Sequence, residues 1–259
     1  MHPVAIDLGG FTIYWYGVLV AVAFLAGLWT ASRRAPLTGV SSERVADLGP
    51  WLILGAVVGA RILFVVSYWR EQFAGGPIWD VFMIRKGGLV FYGGLMGSAL
   101  AHVIYCWVKR LGVWKMADVL APSVAMGYFF GRLGCLMNGC CYGRVCSLPW
   151  AVQFPEGHET HPEWLHPTQL YEGFAGLMLY GGLAWLYRRK GFEGQVFAVY
   201  LMGNGLVRFL VEFFRGDYGE RIWGGWVTPA QPIAMVLMAA GAGLYWWQGI
   251  RGRGRQARR

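Results

Sequence analysis

Charge is scarce in this chain. Only 14% of its 259 residues are Asp, Glu, Lys or Arg, against roughly a quarter in an ordinary soluble domain. No stretch is polar enough to make a second, soluble domain, so one domain over residues 1–259 is expected. Acidic residues are the scarcer sign, 14 against 23 Lys and Arg, which leaves a net charge of +9. That surplus lies in short loops at one set of helix ends and in the tail 251–259. The distribution suits loops facing anionic lipid, and no nucleic-acid partner is expected. The start, Met1-His2-Pro3, lacks the charged n-region of a signal peptide, and the first apolar run is longer than a signal-peptide core. It is expected to stay as the first helix.

What fills the chain instead is apolar: 56% hydrophobic residues, 14 Trp and 39 Gly. Tryptophan suits membrane interfaces, and glycine lets membrane helices approach closely. Windows of about twenty apolar residues cross a hydrocarbon core of about 30 Å. Seven occur, at roughly 12–32, 50–69, 88–108, 117–138, 168–187, 195–214 and 228–248. The expected fold is therefore an all-α polytopic membrane protein of about seven transmembrane helices. The third span is the least regular at its start, where Gly87-Gly88 and Gly93-Gly94 loosen a helix. The fourth is expected to end in irregular backbone near Asn138.

Basic residues set the orientation. Loops 33–49, 109–116 and 188–194 and the tail hold fourteen Lys and Arg, and the opposite side holds six: Arg70, Arg85, Lys86, Arg144, Arg215 and Arg221. The N-terminus is expected outside and the C-terminus, with its basic tail 251–259, in the cytoplasm. Segment 139–167, with Trp150, Pro155, Trp164 and Pro167, reads as a small periplasmic cap.

Three arginines remain inside apolar spans: Arg61, Arg132 and Arg208. Arginine cannot discharge by losing a proton, so in a membrane it needs an anion, the interface or a wet cavity. Arg208 and Glu212 are four residues apart and share a helix face; the bland reading is a structural ion pair. Arg132 sits between Gly131 and Leu133-Gly134 with no carboxylate one turn away on its own helix. An external anion such as phosphate is favoured there, with a pair to Asp118 or Glu172 as the structural alternative. Arg61 is expected to neutralise a carboxylate across the bundle. Pro167 opens the fifth helix, from which Gln169 and Glu172 are expected to point into the bundle.

Four of the five cysteines, Cys135, Cys140, Cys141 and Cys146, cluster ahead of His158, His161 and His166. The spacing lacks the usual C-x2-C zinc knuckle. A zinc site and a disulfide are alternatives to inert thiols, which are the default; no metal is claimed.

Taken in order, Tyr14-Trp15-Tyr16-Gly17, Gly87-Gly88-Leu89-Val90-Phe91-Tyr92-Gly93-Gly94, the run from Gly131 to Gly143 with Arg132, Gly134 and Asn138, His166-Pro167-Thr168-Gln169-Leu170-Tyr171-Glu172, and the run Arg208 to Arg215 resemble the prolipoprotein diacylglyceryl transferases of bacterial inner membranes. The likeness covers nearly the whole chain. It departs at Tyr92, where the family has histidine, at Cys135 for asparagine, at Cys140 for glutamate, and at Asn204 for tyrosine. The resemblance implies a multi-pass protein of the cell inner membrane. Its reaction would move the diacylglyceryl group of phosphatidylglycerol to the lipobox cysteine thiol of a prolipoprotein signal peptide, forming a thioether and releasing glycerol phosphate. Its partners would be those two substrates and membrane lipids. It implies Arg132 and Arg208 on the phosphodiester, Glu212 holding Arg208, and Asn138, Gly143 and Tyr16 about the head group. Tyr92 would take part as a hydrogen-bonding group, since a phenol with a pKa of about 10 is a poor base at neutral pH. No metal or organic cofactor is implied, phosphate being a fair leaving group. A lipid-handling or transport protein of the same bundle is the second class, and a redox or metal-binding module built on the cysteines the third.

Overall fold

The computed structural model describes residues 3–9, 12–84, 87–217 and 227–256, with backbone alone beyond Arg251. Arg85, Lys86 and Arg221, counted above in the loops, and residues 257–259 of the basic tail lie outside the described residues. Seven α-helices occur among those described: α1 (Trp15–Arg34), α2 (Ser42–Ser67), α3 (Phe91–Val108), α4 (Val113–Asn138), α5 (Thr168–Tyr187), α6 (Gln195–Val211) and α7 (Ala230–Gln256). Six of them are long and apolar enough to cross a membrane. The helix α5 is also long enough at 20 residues, but Gln169 and Glu172 in its opening turns lower its hydropathy. The fold is that of an all-α polytopic membrane protein.

The first helix begins at Trp15 rather than near residue 12. Residues Thr12–Tyr14 form a strand, β2, paired antiparallel with β1 (Val4–Asp7). The Asp7 carboxylate accepts from the Gly9 amide at 3.0 Å, and Gly9 takes a left-handed φ of 71°. Turn chemistry and β-branched Thr12 and Ile13 thus compete successfully with apolar periodicity. A second small pair, β3 (Val152–Gln153) with β4 (Trp164–Leu165), lies within segment 139–167.

The chain forms two compact units, residues 1–31 with 117–259, and residues 32–116. In the smaller, Ser41 caps α2 by accepting from the Arg44 amide at 3.4 Å. Gly55 and Gly59 of α2 face Gly93 and Gly97 of α3. A Cβ on Gly55 would stand 2.5 Å from the Gly97 carbonyl, and one on Gly59, Gly93 or Gly97 would also strike backbone. Glycines four residues apart on both helices therefore make the interface, as small residues do where lipid removes the hydrophobic drive for association.

Arg61 of α2 is buried, as expected of a structural residue, but it does not neutralise a carboxylate. Its guanidinium donates to four backbone carbonyls, those of Val81 and Gly87 (2.7 Å each), Asp80 (2.6 Å) and Gly88 (3.2 Å). Among the described residues no carboxylate pairs with it. Gly87 and Gly88 both take φ of 84°, a conformation costly to other residues, which aims their carbonyls at the arginine. The rings of Phe64 and Phe73 flank the cation at 5.4 and 5.6 Å.

In the larger unit Asp118, fully buried near the start of α4, accepts from Lys190 Nζ (2.8 Å) and from the amides of Gly194 (2.9 Å) and Phe197 (3.0 Å). It serves as the cap of α6 from another helix, because Gly194 has no side chain to do so. Gly205 and Gly241 let α6 and α7 close on each other; an added Cβ at either would sit 2.8 Å from a carbonyl of the other helix.

Candidate active site

Three helices of the larger unit converge on one carboxylate. Gly173 and Gly176 allow α5 to lie against Phe129 and Ala125 of α4: a Cβ there would come within 3.2 Å of the Phe129 ring and 3.1 Å of the Ala125 carbonyl. This close approach delivers Glu172, fully buried, to the face of α4 that carries Tyr128 and Arg132. Arg132 Nε pairs with Glu172 Oε2, and its Nη2 donates to the Tyr128 hydroxyl at 2.8 Å. That hydroxyl donates in turn to Glu172 Oε2 at 2.5 Å. The guanidinium also lies over the Tyr128 ring, 4.8 Å from its centre.

From α6, Arg208 Nη1 reaches Glu172 Oε1 at 2.7 Å, and Nη2 lies 3.1 Å from Glu212 Oε2. Glu212 opens the 3-10 turn Glu212–Phe214 that follows α6, one helical turn beyond Arg208. The i,i+4 pair expected from the sequence is present. Arg132, read as awaiting an external anion, is paired with Glu172; the structural alternative named that residue, while Asp118 belongs to the α6 cap. The two carboxylates are wholly buried, whereas the arginine side chains keep 14% and 20% of their surface. Two cations and two anions make the cluster formally neutral, so its action on a ligand comes from placed N–H donors rather than from net charge.

The C-terminus of α4 is shaped by its own sequence. Gly139, left-handed at φ 75°, lets its amide bond to Leu136 O (3.3 Å) and the Cys140 amide to Cys135 O (3.0 Å). This is a Schellman closure, and it sets the side chains of positions 135 and 140 together. Gln169 Nε2 then donates to Cys140 O at 2.8 Å and Thr168 Oγ1 to Cys141 O at 2.7 Å, tying this turn to the start of α5. Asn138 is the last residue of α4, as expected. Tyr16, on α1, lies against Gly134, where a Cβ would stand 2.9 Å from its ring.

Gly143 occupies a crossing of three strands of chain: its amide donates to His166 O at 3.0 Å, and it bridges to Arg215. Its lack of a side chain is needed there, since a Cβ would stand 2.5 Å from His166 Cβ and 2.8 Å from Phe214 O. Arg215 is buried and held bidentately by Asp217 at 2.7 and 2.8 Å. Burial, the largest single influence, works against its charge, but Asp217 together with the other acidic neighbours holds its pKa above the ordinary value. Further along the same segment, Tyr142 donates to Glu159 at 2.5 Å. Burial, then Glu159, pushes that phenol up to about 12.

Tyr92 opens α3 in the smaller unit and is half exposed, its ring edge-on to Phe91 at 5.9 Å. Sequence reasoning singled out Glu172 without its central place and missed Tyr128. The signal for Tyr128 was its position one turn before Arg132, which places both on one helix face.

Residues 3–247 match the family model described as prolipoprotein diacylglyceryl transferase. A phosphatidylglycerol–prolipoprotein diacylglyceryl transferase of Vibrio parahaemolyticus is 37% identical over 256 residues, 97% of this chain and 92% of its own. Proteins of the same description from Bordetella bronchiseptica and Pseudoalteromonas translucida are 35% and 34% identical, each over 95% of this chain and 94% and 92% of theirs. With likeness running the length of the chain and through every segment that builds the arginine cluster, the protein belongs to the prolipoprotein diacylglyceryl transferase family.

Proposed function

We propose that this protein transfers the diacylglyceryl group of phosphatidylglycerol to the lipobox cysteine thiol of a prolipoprotein, the first step of lipoprotein maturation. In that step a carbon–sulfur bond forms as the bond between the glyceryl carbon and the phosphate oxygen breaks. The thiol loses its proton, and the departing oxygen keeps the electron pair as part of glycerol phosphate. Negative charge on the phosphate therefore grows as the reaction proceeds, and donors aimed at it favour the transition state over the bound lipid.

The observation that carries this reading is the pair Arg132 and Arg208, fixed by the wholly buried Glu172 and Glu212 while the arginine side chains themselves stay partly accessible. Guanidiniums fixed in this way need little reorganisation when the leaving phosphate gains charge. Since the cluster is formally neutral, it aids the incoming thiol through the near guanidinium faces and not through a broad positive field. Tyr16, packed against Gly134, and Asn138, the last residue of α4, suit contacts with the head group, and Gly143 shapes the rim. Tyr92 takes a hydrogen-bonding part. Membership of this family and the apolar helices support a multi-pass place in the cell inner membrane, and the excess of Lys and Arg in one set of loops supports the N-terminus outside, with segment 139–167 on the same face. The signal peptide and surrounding lipids would meet it there.

The test is a transfer assay from phosphatidylglycerol to a lipobox peptide in detergent or vesicles. Arg132→Ala and Arg208→Ala abolish thioether formation while the protein still inserts, and Lys at either position recovers little because it lacks the planar fork. Lipid movement across liposomes by wild type, with no thioether product, would overturn the assignment in favour of lipid handling.

A further inference from the structure

Three of the five cysteines are gathered in a way the transfer reaction does not require. The sulfurs of Cys135, Cys140 and Cys141 all lie within 4.8 Å of one another. They are half-buried, so an ion from solution can reach them. The arrangement is built, not incidental to a loop. The Schellman closure of α4 brings positions 135 and 140 together, and Cys141 follows in the left-handed region at φ 65°. Gln169 and Thr168 hold the carbonyls of Cys140 and Cys141 from α5. Cys146, the fourth member of the sequence cluster, is not in the group, and among the described residues no histidine or carboxylate joins it.

We propose that these three thiols form a binding site for a single soft, monovalent d10 cation, Cu(I) by chemical class, in three-coordinate geometry. Metal–sulfur bonds of about 2.3 Å place the sulfurs of a trigonal site about 4 Å apart, so a small closing of the trio suffices. Thiolate sulfur selects such ions, and a set of only three donors disfavours Zn2+, whose structural sites take four. Each coordinating thiol gives its proton to solvent. Arg132 and Arg215 lie within electrostatic reach of Cys141 and offset the negative charge that the thiolates bring. The bound ion would brace the turn that ends α4, which Thr168 and Gln169 already tie to the start of α5.

The test uses the reduced, detergent-solubilised full chain titrated with Cu(I) under anaerobic conditions against a chromogenic Cu(I) chelator. One equivalent is expected to be retained by wild type and by a Cys106→Ser/Cys146→Ser variant, with three sulfur neighbours in its X-ray absorption spectrum. Cys135→Ser, Cys140→Ser and Cys141→Ser should each weaken retention at least tenfold, and Cu(I) should raise the melting temperature of wild type but not of the triple serine variant. Because the spectrum of the Cys106→Ser/Cys146→Ser variant alone reads the coordination number, the test does not depend on the site variants folding. Retention no greater than that of the triple variant, two sulfur neighbours instead of three, or a four-ligand Zn2+ site held in preference to Cu(I) would each overturn the proposal.

Discussion

Glu172 of α5 and Arg208 of α6 meet at 2.7 Å, Oε1 to Nη1, while the other oxygen of the same carboxylate serves Arg132 and Tyr128. One buried acid therefore sets the position of both guanidiniums. Glu172→Gln removes the charge but keeps much of the shape, and it takes from Arg132 the carboxylate it pairs with while leaving Arg208 with Glu212. The expected result is a fall in transfer of at least about 100-fold and a loss of about 3 kcal/mol of stability, as when one partner of a buried pair is removed. Activity and thermal unfolding measured on the same preparation check this; an unchanged rate would show that Glu172 does not set the arginines.

Arg132 and Arg208 should differ from lysine in rate more than in binding. Lysine keeps a charge but not two parallel donors, so the growing charge of the leaving phosphate loses its second contact. Arg132→Lys and Arg208→Lys are each expected to lower kcat by about 100-fold with a smaller change in KM, read from the dependence of rate on phosphatidylglycerol.

Tyr92 offers a sharper choice. If the phenol only donates a hydrogen bond, Tyr92→Phe keeps transfer within about tenfold of wild type, the size of one such bond. Tyr92→His should be at least as active as the Phe variant. A dead Phe variant with an active His variant would assign the proton transfer to this position instead.

The interface of α2 and α3 can be tested with two neighbouring glycines. A methyl at Gly97 strikes the Gly55 carbonyl, whereas one at Gly94 finds its nearest neighbour at 3.4 Å. Gly97→Ala is expected to cost about 1–3 kcal/mol and Gly94→Ala much less. Thermal unfolding in detergent compares them directly, and equal losses would contradict the packing described.

Tyr142 supplies a pH dependence. Its folded-state pKa, about 12, lies above the ordinary phenol value of about 10. A raised pKa stabilises the protein below pH of about 10, and that contribution disappears as pH rises through about 12. In Glu159→Gln the titration of Tyr142, followed by NMR of labelled tyrosine, is expected to move down toward 10.

Much of this was legible in the residues themselves. Spans of apolar sequence gave the helices, and the i,i+4 spacing of Arg208 and Glu212 gave their pair. Glu172 was visible as a polar residue entering the bundle. Its pairing with Arg132 was named only as an alternative beside Asp118, because the choice depends on Gly173 and Gly176 admitting α4, which no spacing along one helix reports. The cysteine trio was half legible: Asn138-Gly139 is a helix stop, and a Schellman closure puts Cys135 beside Cys140. Cys141 was counted in the cluster with Cys146, and only the left-handed turn at Cys141 explains why it joins the pair and Cys146 does not. Arg61 was misread for a different reason. Carboxylates can be counted in a sequence, but carbonyls aimed by Gly87 and Gly88 cannot.

That carbonyl cage carries a consequence of its own. The contact of Arg208 with Glu212 joins two side chains, so for folding alone a change in one can be answered by a change in the other. Arg61 has no such freedom. Backbone carbonyls are the same in every sequence and can never become donors, so no second mutation rescues the loss of this cation. For folding, as distinct from chemistry, position 61 should tolerate drift least among the three intramembrane arginines, although it lies outside the cluster assigned to the reaction.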